Sequence, residues 1–212
     1  MTENKVPNNK LRNRIFILVV AIALPLIFYY FFELKVPPPP PAPKTYGDAP
    51  VFSLTDQDSS TLSNDDLKGF IYLADFFFTS CKTICPNLSK KFSEVQGYYK
   101  DQPRFKLVSF SINPEVDSIP VLKKYADQYG AISNKWHLLT GPANYLRDTI
   151  AVNGFKVPVV PDNADPGQFT HTDMAVLVDG EGHIRGFFHL SEDAQIDSMY
   201  NAIERVLVEK KR

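Results

Sequence analysis

Residues 70–88 read FIYLADFFFTSCKTICPNL. Residues 70–78 form a long apolar and aromatic run, fit for a central strand. A short polar turn then carries Cys81 and Cys85, and a helix begins near Pro86. Strand, cysteine turn and helix in that order put both thiols at the carboxyl end of a strand, where ligands gather in open α/β sheets. The same order puts them at a helix N-terminus, whose free N–H groups and positive dipole end favour a thiolate.

Outward from this stretch, strand and helix signals alternate. Residues 86–100 place Leu88, Phe92 and Val95 at helical spacing, and KLVSFSI (106–112) reads as the next strand. Residues 118–129 set Val121, Leu122, Tyr125 and Ala126 on one helical face. WHLLT (136–140) is a short strand, and 142–152 a helix with Pro142 in its first turn. MAVLVD (174–179), a DGEG turn and HIRGFFH (183–189) make a hairpin, followed by an amphipathic helix over 193–208. Upstream, VFSLTD (51–56) alternates as a strand should. The alternation predicts an α/β domain with a largely parallel sheet and an antiparallel hairpin at its edge, in a thioredoxin-like layout.

Residues 15–32 carry no charge. A bilayer core takes about 20 apolar residues of helix, and membrane helices tolerate a proline such as Pro25. Lys5, Lys10, Arg12 and Arg14 precede the run, and Tyr29 and Tyr30 suit its interfacial end. The positive-inside rule keeps this N-terminus in the cytoplasm and sends the chain beyond Lys35 outward, to a periplasmic side. A cleaved signal peptide is the rival, but bulky Tyr-Tyr-Phe-Phe fills the place of its small-residue cleavage site. Residues 37–41 are all proline and Pro43 comes soon after, giving a stiff spacer at about 3.1 Å per residue. The expected division is a cytoplasmic basic segment (1–14), a transmembrane anchor (15–34), a proline-rich spacer (35–45) and a folded domain (46–212).

A formal net charge of -1 argues against nucleic acid as a partner, since phosphate binding needs clustered Lys and Arg. Two cysteines are too few for a disulfide scaffold. At positions i and i+4 of a helical turn they share a face, with Cβ atoms about 5–6 Å apart. They can converge on one metal ion or, after a local shift, close a disulfide. Two sulfurs suit Cu(I), and an added imidazole lets the same site accept Cu(II). Structural zinc wants four ligands, and there is no third cysteine. The plainer alternative is a structural disulfide closing a very small loop. Of His137, His171, His183 and His189, position favours His171, because the segment entering the hairpin passes beside the cysteine turn in a thioredoxin-like sheet.

The N-terminal anchor, F-T-S-C-x-x-x-C-P, L-V-S-F-S-I-N-P-E-x-D, W-x-x-L-T-G and a late histidine before L-V-D-x-x-G resemble the SCO/SenC copper-chaperone family, over residues 46 to about 208. The resemblance implies a thioredoxin-like fold with inserted segments and copper held by Cys81, Cys85 and His171. It also implies a role in cytochrome c oxidase assembly, by delivering copper to the binuclear copper site or by reducing that site's cysteines. The partners implied are the oxidase's copper-site subunit, with other copper chaperones or thioredoxin-like reductants upstream. Two positions depart from the family pattern. Lys82 stands where proline often follows the first cysteine, and Asn113 where an aspartate is usual, while Asp117 keeps the second acidic position. Lys82 is read either as a charge that stabilises thiolates or as a solvated side chain, and Asp117 either as an orienting group or as a helix N-terminal carboxylate. A thiol-disulfide oxidoreductase using the Cys81–Cys85 pair, and a redox or copper sensor, are the other function classes the motif admits.

Overall fold

A computed structural model describes residues 9–33, 44–160, 169 and 172–209. His171, residues 161–168 before it, and residues 35–43 of the expected spacer lie outside this set. The chain divides into two compact units, Met1–Pro40 and Pro41–Arg212.

The described residues of the first unit form a helix, α1 (Asn9–Glu33), with Pro25 inside it. Its stretch Lys10–Tyr30 is long and apolar enough to cross a membrane. At 1.5 Å per residue, its 25 residues extend about 37 Å, more than a hydrocarbon core of about 30 Å.

In the second unit the strands are β1 (Ser53–Asp56), β2 (Thr61–Ser63), β3 (Ile71–Phe77), β4 (Phe105–Ser111), β5 (Trp136–Thr140), β6 (Met174–Val178) and β7 (Ile184–His189). They form one sheet in the order β2-β1-β5-β4-β3-β6-β7. Helices α2 (Cys85–Tyr98) and α3 (Ile119–Gln128) link β3 to β4 and β4 to β5, and α4 (Asp193–Val208) follows β7. The sheet is less parallel than the alternation predicts. Only β3–β4 and β4–β5 pair in parallel, and the other four neighbours are antiparallel. The reason is connection length. A parallel pair needs a crossover, and only α2 and α3 supply one between adjacent strands. The short strand β2 has no counterpart in the sequence reading.

The segment expected as a helix over 142–152 is a π-helix over Tyr145–Gly154. The Phe155 N–H bonds the Ile150 carbonyl at 2.9 Å, five residues back, and the Val157 N–H bonds that of Ala151 at 2.9 Å. This wider winding seats Phe155, fully buried, against Phe76 and Phe110, with ring centroids 5.7 and 5.6 Å away. All seven residues of β3 are buried, as its run of apolar side chains requires of a central strand. Leu88, Phe92 and Val95 turn α2's apolar face onto the sheet, with Phe92 meeting Trp136 at 5.9 Å. β3 therefore ends in a packed core, and the turn after it is held from several sides.

Candidate metal centre

β3 stops at Phe77, and α2 begins at Cys85 with Pro86 in its first turn, where a missing N–H costs nothing. The intervening turn carries Cys81, so one cysteine lies just before the helix and the other is its first residue. Both are buried, 5 % and 3 % exposed. The Cys85 N–H, one of the unsatisfied donors of α2, points at Cys81 Sγ at 3.4 Å. Thr83 Oγ1 lies 3.7 Å from the same sulfur.

These contacts split the two thiols. Cys81 is pulled down to about 4, first by a hydrogen bond from the Cys85 thiol and then, against the cost of burial, by the Cys85 and Thr83 backbone and the Thr83 hydroxyl. Cys85 moves the opposite way, pushed up by its hydrogen bond to Cys81 and by burial. One thiolate and one thiol donor share the site. Lys82 is exposed, and the influences that lower Cys81 come from Cys85 and Thr83 instead.

Asp117 has a firmer place than a solvated helix-end carboxylate. It is fully buried, and Thr79, two residues before Cys81, gives it both its N–H (3.2 Å) and its hydroxyl. Ser111 at the end of β4 donates a third bond at 2.6 Å. Burial raises its pKa, and the bonds from Ser111 and Thr79 oppose that rise. Asp117 thus pins the start of the cysteine turn to the neighbouring strand. Asn113 is buried close by, its N–H reaching Ser111 Oγ at 3.2 Å.

Asp75 has no part in the sequence reading, although it is the one charge in an apolar strand. It sits on β3 opposite Ser109, 2 % exposed, and its Oδ1 has no hydrogen-bond partner among the described residues. Burial raises it to about 7, and its charge is one of the influences raising Cys85.

Among the histidines, His137 is buried on β5 with Nδ1 3.0 Å from Asp56 Oδ2. His183 lies 3.5–3.7 Å from Asp48, Asp179 and Glu181. His189 bonds Asp173 at 2.7 Å. Each already has a carboxylate neighbour. His171 lies outside the described residues, but its flanks are placed. Phe169 is buried with its ring 5.6 Å from that of Phe78, at 73°. On the other side Asp173 accepts from Leu190 and Ser191 as the chain enters β6.

Two adjacent thiols, both buried, make a soft donor pair that suits Cu(I). Among the described residues no three His, Cys, Asp or Glu side chains converge as a metal cluster.

Known proteins resemble this chain over most of its length. Residues 42–208 match the SCO1/SenC family model. The SCO1 protein homolog of Bacillus subtilis is 31 % identical over 155 residues, covering 72 % of this chain and 79 % of that protein. BsSco, a member of the Sco family of cytochrome c oxidase assembly proteins in which a disulfide switch was identified, superposes with a TM-score of 0.70 at 27 % identity, covering 80 % of this chain and all of that one. Bradyrhizobium japonicum ScoI, solved with copper bound, shares the fold at a TM-score of 0.60 and 24 % identity, over 74 % of this chain and 97 % of its own. With the family match running through most of its length, the chain belongs to the SCO1/SenC family.

Proposed function

We propose that this protein is a membrane-anchored copper carrier that holds its cargo through Cys81, Cys85 and His171. On this reading it serves the binuclear copper site of cytochrome c oxidase, by delivering copper or by reducing that site's cysteines. The observation that carries the reading is the split thiol pair at the N-terminus of α2, in a chain of the SCO1/SenC family. A thiolate at Cys81 is a ready soft ligand, and the Cys85 thiol beside it would become a second on metal binding, with its proton released to water. His171 follows Phe169 by two residues, a span of at most about 7 Å. Phe169 itself packs on Phe78, three residues before Cys81. Copper in Bradyrhizobium ScoI and the assembly role of BsSco support the choice of cargo and recipient. The helix α1, with Lys10, Arg12 and Arg14 in its first turns, anchors the domain on the outer side of the membrane.

The same pair supports a thiol-disulfide step, and the disulfide switch of BsSco favours keeping it in view. The Cys81 thiolate attacks one sulfur of a recipient disulfide, whose S–S bond breaks and releases one recipient thiolate. Cys85 gives up its proton and attacks Cys81 Sγ, which releases the second. Two electrons pass to the recipient, and a Cys81–Cys85 disulfide remains.

The test mixes copper-loaded full chain with the copper-free, reduced copper-site domain of the oxidase in one arm, and copper-free, reduced full chain with the same domain oxidised in the other. Copper moving to the reduced recipient establishes delivery. Stoichiometric reduction of the oxidised recipient, with Cys81 and Cys85 becoming oxidised, establishes the reductase step. If copper does not move and the oxidised recipient is not reduced, the proposal is contradicted.

A further inference from the structure

We infer that Arg147 is a positioning residue for the cysteine turn, acting on Phe78 and Thr79 from two sides. The inference rests on the reading of Cys81 and Cys85 as the working thiols, and concerns what keeps their turn in place.

Arg147 projects from the π-helical segment with its side chain mostly covered, 21 % exposed. Its Nε donates to the Ile112 carbonyl at 2.6 Å. Its two terminal nitrogens donate to the two oxygens of Glu115, at 3.0 and 2.7 Å. This parallel fork fixes direction as well as distance. The guanidinium carbon also lies 4.6 Å from the centroid of the Phe169 ring, within cation–π range.

Each contact leads back to the same two residues. Ile112 and Glu115 belong to the loop after β4 that carries Asp117, and Asp117 holds the N–H and hydroxyl of Thr79. The Ile112 N–H also bonds the Phe77 carbonyl at 2.9 Å. On the other side, Phe169 lies between the guanidinium and the Phe78 ring. Arg147 therefore braces Thr79 through the loop and Phe78 through Phe169, and Ser80 and Cys81 come directly after. A surface ion pair with half-exposed Glu115 contributes little by itself. What the arrangement supplies is a fixed approach to Cys81 from a segment distant in sequence. Lysine cannot do the same, because it lacks the planar fork and reaches only one oxygen at a time.

The test measures amide hydrogen exchange in the copper-free, reduced full chain in detergent, for wild type, Arg147→Ala, Arg147→Lys and Phe169→Leu. Arg147→Ala is expected to speed exchange at residues 78–81 about tenfold while leaving β6 unchanged. Arg147→Lys should fall between wild type and alanine. Phe169→Leu, which keeps an apolar contact for Phe78 but offers no ring to the guanidinium, should reproduce part of the effect. In a second arm, copper-loaded Arg147→Ala should lose Cu(I) to a chelator faster than wild type. Unchanged exchange at 78–81, or equal acceleration throughout the sheet, would overturn the inference. A wild-type chain that takes up no copper would instead overturn the copper reading, and the exchange arm would still decide the role of Arg147.

Discussion

Phe169 packs edge-to-face on Phe78, with ring centroids 5.6 Å apart and planes at 73°. The two residues are separated by most of the domain's sequence, and each stands close to a residue proposed to bind copper. Phe78 leads into Cys81, and Phe169 precedes His171 by two positions. The fold thus ties residue 169 to the strand end that leads into the cysteines through a buried aromatic contact. Such pairs contribute about 0.5–1.5 kcal/mol beyond the area they bury.

The split between the two thiols has a pH signature. With Cys81 pulled down to about 4 by its bond from Cys85, its alkylation by iodoacetamide should be nearly flat from pH 6 to 8 and fall below pH 5. An ordinary thiol would react about tenfold faster per pH unit over the upper range. The linkage has the same sign. A depressed folded pKa gives stability that is present above the unfolded thiol value and is lost as pH falls toward about 4. Mass spectrometry of the singly alkylated protein checks both site and slope. A rate that climbs steadily through pH 8 would contradict the hydrogen-bond pattern around Cys81.

Asp75 acts on stability with the opposite sign. Burial raises its folded pKa to about 7 from an ordinary 3.8. Between about pH 4 and 7 the folded state therefore holds a proton that the unfolded chain has released, and stability falls as pH rises through that window. Asp75→Asn removes the titration. Relative to wild type it should be near neutral at pH 4 and stabilising at pH 8, by about 4 kcal/mol at most. Urea unfolding of reduced residues 44–212 at both pH values measures this. Equal differences at the two pH values would rule out the buried charge as the cause.

Asp117 accepts three bonds, two from Thr79 and one from Ser111. Asp117→Asn keeps the shape but turns one acceptor into a donor, leaving a buried hydroxyl or N–H without a partner. The expected loss is about 1–3 kcal/mol, with the Thr79 amide exchanging faster than its neighbours in β3. A stability equal to wild type would show that Asp117 does not hold the turn.

Elements with a strong local period were legible in the sequence. β5 and α4 occupy the residues that periodicity assigns, Trp136–Thr140 and Asp193–Val208. α2 begins one residue earlier than expected, at Cys85, because Pro86 occupies its first turn. Three-residue β2 is too short to carry a period, and it forms because Ser53, Leu54 and Thr55 of β1 lie opposite it. The π-helical winding of Tyr145–Gly154 is set by the pocket that takes Phe155, a tertiary demand without a local pattern. At the site, type and spacing single out the cysteines. Asp117 is legible as an acidic motif position, but its bonds to Thr79, 38 residues away, belong to the fold. Asp75 carries a signal of its own, a lone carboxylate in an otherwise apolar strand, whose meaning only the burial of β3 supplies.

The most direct measurement of the central claim is the copper content of residues 44–212, reduced and loaded separately with Cu(I) and Cu(II) without oxygen, in wild type and four variants. One copper per wild-type domain is expected. Cys81→Ala and Cys85→Ala should lose it, His171→Ala should weaken it and most strongly for Cu(II), and His137→Gln, buried against Asp56, should retain it. A wild-type domain that binds no copper, or a His171→Ala protein that binds both oxidation states as tightly as wild type, would contradict a site built from two thiols and that imidazole.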